Sequence, residues 1–115
     1  MYYLKVISLD GCPYSESANT LVKNNKIKSE IIQVDDTTKF NYKTNRISTF
    51  PQIYLCKKNS SGCVLLGGYT KLKYYFDKIH GAKNIDQLKS LKEEIKETNM
   101  ELSEKSVLRL MELFF

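Results

Sequence analysis

The 115-residue chain has no tryptophan, two prolines, five glycines and three cysteines. So few cysteines, and an odd number of them, exclude a disulfide-stapled secreted scaffold and leave at least one thiol over. Apolar runs such as Cys63-Val64-Leu65-Leu66 are short, far from the roughly 18 residues that a membrane span needs. Met1 to Lys5 do not begin a signal peptide, so a cytoplasmic location and no membrane partner are the expectation. Collagenous and disordered classes are excluded by the composition, and the length suits one domain with a modest core.

Charge is unevenly placed. The net charge is +5, with 12 Lys/Arg against 6 Asp/Glu in residues 1–82 and 6 against 7 in residues 83–115. The lysines are scattered rather than gathered into one stripe, which reads as a solvated surface and not as a nucleic-acid interface.

Alternation and turn residues set out the elements. Residues 3–9 read as a strand, broken by Asp10-Gly11. Pro13 suits the first turn of a helix, whose buried face is Ala18, Leu21 and Val22. Residues 30–34 are a second strand, after which Asp35 to Thr38 cap a short helix over 39–47. Gln52 to Lys57 and Cys63 to Leu66 are two strands joined by a hairpin turn, Asn59-Ser60-Ser61-Gly62. Thr70 is placed to cap a helix burying Leu72, Phe76 and Ile79. The order β-α-β-α-β-β-α predicts a mixed sheet with helices on both faces. Residues 83–115 differ in kind. Asn84 and Gln87 form a capping pattern, followed by the stripe Ile85, Leu88, Leu91, Ile95 and Leu102. Ser103 opens a last helix with Val107, Leu110, Met111 and Phe114 on one face. These helices either fold back onto the domain or serve as a self-association or partner-docking seam.

Three motifs carry chemistry. Cys12 stands at a strand-to-helix turn, where the helix dipole and unpaired amides favour a thiolate; taken alone it also reads as a small core residue. Thr49-Phe50-Pro51 opens a strand. Proline there is ordinary in the trans form, whereas a cis bond would turn the Phe50 backbone toward an extended ligand. Gly67-Gly68-Tyr69-Thr70 is either a tight turn or a place where a ligand carboxylate meets a helix N-terminus.

Taken together, Cys-Pro-Tyr-Ser, Thr-Phe-Pro-Gln-Ile-Tyr-Leu and Gly-Gly-Tyr-Thr, in this order of elements, make residues 1–82 resemble a glutaredoxin. The resemblance implies an α/β thioredoxin fold, with a four-stranded mixed sheet flanked by helices and a C-terminal helical extension at 83–115. It implies a glutathione-dependent thiol–disulfide oxidoreductase with Cys12 as nucleophile and glutathionylated proteins as partners. Tyr14, Thr49, Phe50, cis-Pro51, Gly68, Tyr69 and Thr70 would bind glutathione. Ser15 stands where many relatives carry a second cysteine, so the resemblance implies one-thiol chemistry, with Ser15 donating to the thiolate. Leu9 stands where the family often has Lys or Arg, and Asp10 follows it. Both changes disfavour the thiolate and weaken the hold on the glycyl carboxylate, with Lys43 or Arg46 as candidate replacements. A [2Fe–2S] cluster shared between two copies is a weaker implication, because cluster carriers usually have Gly and Phe at positions 13 and 14. A non-catalytic interaction module is a third reading. No residues have metal-site spacing, and His80 reads as a surface residue. Cys56 and Cys63 fall opposite each other on the hairpin, and in a reducing cytosol two separate thiols are expected there.

Overall fold

The computed structural model describes residues 1–60 and 62–115. Its elements are β1 (Tyr2–Leu9), α1 (Pro13–Asn24), β2 (Ser29–Val34), a 3-10 turn (Lys39–Tyr42), β3 (Gln52–Lys57), β4 (Cys63–Gly67), α2 (Tyr69–Gly81), α3 (Ile85–Thr98) and α4 (Glu104–Leu113). Strand order across the sheet is β2-β1-β3-β4. β1 runs parallel to β2 and antiparallel to β3, and β3 runs antiparallel to β4. The mixed sheet flanked by helices is the thioredoxin fold.

Strand alternation decides which side chains meet. Leu4 and Val6 of β1 lie opposite Leu55 and Ile53 of β3. They share one core with Ala18, Leu21 and Val22 of α1 and with Leu72, Tyr75 and Ile79 of α2. Ile7, Gln52 and Cys56 alternate to the other face and are equally buried. There the Gln52 side chain donates from Nε2 to the Tyr42 carbonyl at 2.8 Å, which holds the 3-10 turn in place. Only this single turn forms where a helix over 39–47 is expected, and Phe40 on it is 64% exposed. Its stretch starts with Asp35, whose carboxylate accepts the Thr37 and Thr38 amides, but it has no buried apolar face to hold further turns.

Two positions differ from the expected pattern in α2. Gly68, not Thr70, is its N-cap. Tyr75 is buried on its inner face and Phe76 only half-buried, because the stripe that meets the sheet runs through Leu72, Tyr75 and Ile79 at i, i+3 and i+7. The hairpin turn includes Ser61, which lies outside the described residues. Asn59 beside it takes a positive φ of 65°.

Residues 83–115 fold back. Leu91 and Ile95 of α3, Leu102, and Val107, Leu110, Met111 and Phe114 belong to the same core as the sheet. Asn84 caps α3 by accepting the Gln87 amide, but the Gln87 side chain returns to the Lys83 amide rather than to that of Asn84. Ser103 caps α4 by accepting the Ser106 amide at 3.1 Å. Phe114 meets Phe76 edge to face at 6.1 Å. Asn99 Nδ2 donates to the Leu65 carbonyl at 3.0 Å, and Glu101 pairs with Arg46. The stripe that could have served as a seam between chains is thus spent on this chain's own domain, with Ile85 left 63% exposed. No helix among the described residues is long and apolar enough to cross a membrane.

Candidate active site

β1 ends at Leu9, and the chain reverses through Gly11, whose φ of +76° is one that residues with a side chain rarely adopt. Cys12 then stands as the N-cap of α1 with extended backbone, and Pro13 fills the first helical position. The Cys12 amide donates to the Leu9 carbonyl at 3.1 Å, and its own carbonyl accepts the Glu16 amide at 3.0 Å. Among the described residues Cys12 is the one free cysteine, and it is half-buried. Its thiol donates to the Phe50 carbonyl at 3.7 Å.

That contact brings the first motif to the second. The Phe50–Pro51 peptide bond is cis. Phe50 is half-buried, Thr49 exposed and Pro51 buried. Gln52, just beyond, is fully buried and ties the strand start both to Tyr42 and to the Tyr54 hydroxyl, which donates to its Oε1 at 3.1 Å. From the sequence Gln52 reads only as a strand residue; the signal that marks it is an amide at a position whose alternation points inward.

The third motif closes the cluster. Gly67 has a φ of +136°, and a Cβ there would stand 2.9 Å from Lys71 Cγ. Gly68 runs so near the Pro51 carbonyl that its own Cβ would lie 3.5 Å from it. The N-terminus of α2 therefore opens beside Pro51, with Tyr69 half-buried and Thr70 exposed. The rings of Tyr14 and Tyr69 approach to 6.3 Å between centroids. Cys12, Phe50, Pro51, Gly68, Tyr69 and Tyr14 thus meet in one place.

Ser15 is fully buried, and its Oγ accepts the Leu9 amide at 3.0 Å. Its visible work is to join the end of β1 to the first turn of α1. Asp10 is drawn toward β2, where Gln33 Nε2 donates to its carboxylate at 2.6 Å. Asn19 in turn donates to Gln33 and to Ser8. The two candidate cations are both engaged elsewhere: Arg46 with Glu101, and Lys43 above the Phe40 ring at 5.0 Å from its centroid. His80 is exposed and stacks on Phe76 at 4.2 Å, a surface contact. Cys56 and Cys63, expected as separate thiols, are joined as a disulfide; the ladder register sets them directly opposite each other.

Comparison with known proteins agrees with this geometry. The glutaredoxin family model matches residues 1–58. The crystal structure of glutaredoxin 1 from Francisella tularensis complexed with cacodylate is similar to this chain. It has 28% identity and a TM-score of 0.52, over 71% of this chain and 100% of that one. No curated protein matches the chain. With half the chain matched by the family model, and with its three motifs brought together beside a free thiol, this chain belongs to the glutaredoxin family.

Proposed function

We propose that this thiol–disulfide oxidoreductase works with glutathione by a one-thiol route, removing glutathione from protein and small-molecule mixed disulfides. The observation that carries the reading is the Cys12 thiol at the N-cap of α1, set against the Phe50 carbonyl with no second cysteine in its helical turn. The Cys12 thiolate attacks the glutathionyl sulfur, the old S–S bond breaks, and the client sulfur leaves with the electron pair and takes a proton. Cys12 now carries glutathione. A second glutathione thiolate attacks that sulfur, glutathione disulfide departs, and the Cys12 thiolate is restored.

Each binding residue has a task in this reading. Loss of the Cys12 proton frees the Phe50 carbonyl to accept the cysteinyl amide of glutathione, as an added strand does. The amides at the start of α2, at Tyr69 and Thr70, receive the γ-glutamyl carboxylate at the positive end of the helix. Tyr14 and Tyr69 flank the tripeptide. Ser15 holds the turn and has a hydroxyl proton free to offer to the sulfur. The test is reduction of a small glutathione mixed disulfide, coupled to NADPH-linked recycling of glutathione, for the full chain and for Cys12→Ser. Activity present in the first and absent in the second supports the reading. Equal activity in both, or none in the unaltered chain, overturns it.

A further inference from the structure

Cys56 and Cys63 face each other across β3 and β4 with Cα atoms 4.3 Å apart and sulfurs joined. That spacing is close to the roughly 4.5 Å of facing strand residues that share no hydrogen bonds with each other. The ladder continues beyond them through Leu55 with Val64 and Tyr54 with Leu65. Strand pairing therefore holds the two sulfurs in reach of each other whether or not they are bonded. Exposure differs between them: Cys56 is fully buried and Cys63 half-buried. Cys56 lies beside Tyr3 near the start of β1, whereas Cys12 follows the far end of that strand. At about 3.3 Å per residue, the six steps from Tyr3 to Leu9 put the pair about 20 Å from the Cys12 end.

We propose that Cys56–Cys63 is a second redox centre, a two-thiol couple that exchanges with a glutathione pool through Cys63 and without Cys12. A glutathione thiolate attacks Cys63 Sγ, and the electrons of the S–S bond leave on Cys56 Sγ, which takes a proton. A second glutathione thiolate then attacks the glutathionyl sulfur on Cys63. The products are two protein thiols and one glutathione disulfide, a two-electron exchange. In the oxidising direction glutathione disulfide modifies Cys63, and Cys56, held opposite by the ladder, displaces glutathione from it. Because that closing step is intramolecular, the mixed disulfide does not accumulate. Cys63 is the entry sulfur and Cys56 the resolving one.

The test uses the full chain with Cys12→Ser, so that its outcome is separate from that of the Cys12 assay. The protein is equilibrated in a series of ratios of glutathione to glutathione disulfide, quenched in acid, labelled with a maleimide and weighed intact. The expected result is passage from no labelled thiols to two across the series, with no build-up of a one-glutathione species. Adding Cys56→Ser should trap one glutathione on Cys63, while adding Cys63→Ser should leave Cys56 largely unmodified. Two labels at every ratio, or none in excess reduced glutathione, would overturn the proposal. Equal modification of Cys56 and Cys63 in the two double variants would overturn the assignment of Cys63 as entry point.

Discussion

The Cys12 thiol donates to the Phe50 carbonyl across 3.7 Å, joining residues 38 apart in the chain and fastening the α1 turn to the residue before Pro51. Replacing Cys12 with serine keeps a donor at that place but removes the nucleophile. Turnover of a glutathione mixed disulfide is expected to fall on the order of a thousandfold or more, with the circular dichroism spectrum unchanged. A variant that still turns over would move the chemistry to another sulfur.

In the proposed reading the Tyr14–Tyr69 pair flanks the tripeptide, so it acts on affinity rather than on the sulfur. A pair of rings at this distance contributes about 0.5–1.5 kcal/mol, and with that pairing lost from the cradle Tyr14→Ala or Tyr69→Ala should raise KM for the mixed disulfide by about 2- to 12-fold with kcat little changed. A kcat that falls while KM stays level would place the ring in the chemical step.

How far the sequence discloses this site depends on what holds each part. The strands and α1 are legible because alternation and the i, i+3, i+4 face of Ala18, Leu21 and Val22 coincide with real burial. The 39–47 segment is misread because the cap at Asp35 to Thr38 starts a turn, but no buried side chain in the turn holds a longer helix, and Phe40 remains outside. The meeting of Tyr14 with Tyr69, the drawing of Asp10 toward Gln33 and the pairing of Arg46 with Glu101 are long-range facts. No local pattern states them. The fate of the tail was equally open, since a stripe suited to a partner helix suits the chain's own core as well.

Gly67 has a positive φ and no room beside it. Gly67→Ala forces both an unfavourable backbone and a shift of Lys71, so a loss of about 1–3 kcal/mol is expected. Because the turn also presents Gly68 to Pro51, glutathione affinity should fall with it. Urea unfolding together with a KM measurement checks both; an alanine variant as stable as the parent would contradict the turn geometry.

Asp35 contributes a pH dependence of its own. The Thr38 amide first, then the Thr37 amide and the Thr38 hydroxyl, bond its carboxylate and lower its pKa from the ordinary 3.8. The native state therefore binds the proton less readily than the unfolded chain. Its stabilising contribution is complete above 3.8 and is lost as pH falls through the lower native value. An NMR titration should show the carboxyl moving below 3.8 together with the Thr37 and Thr38 amides, and Asp35→Asn should abolish that joint shift. A midpoint at or above the ordinary value would count against these hydrogen bonds.

The tail is structural in its own right. Ile95 and Leu110 are fully buried in the shared core, so truncating either to alanine should cost about 2–5 kcal/mol. Urea unfolding of the full chain should show one transition that both variants shift. A separate early transition for α3 and α4, leaving the rest unmoved, would mean that the tail merely rests on the domain.

Asn99 has a consequence for how the molecule keeps to itself. β4 is the outermost strand on its side of the sheet. Counting two residues on from the Cys56–Cys63 pair, Leu65 faces Tyr54 in the same class of pairing, so its backbone groups point outward from the ladder. An outward-pointing row of this kind is where a stray strand adds on and aggregates begin. The Asn99 side chain occupies the Leu65 carbonyl, so the returning tail acts there as a guard against edge-to-edge growth. At that one carbonyl the outer margin of β4 is already taken by the chain's own side chain.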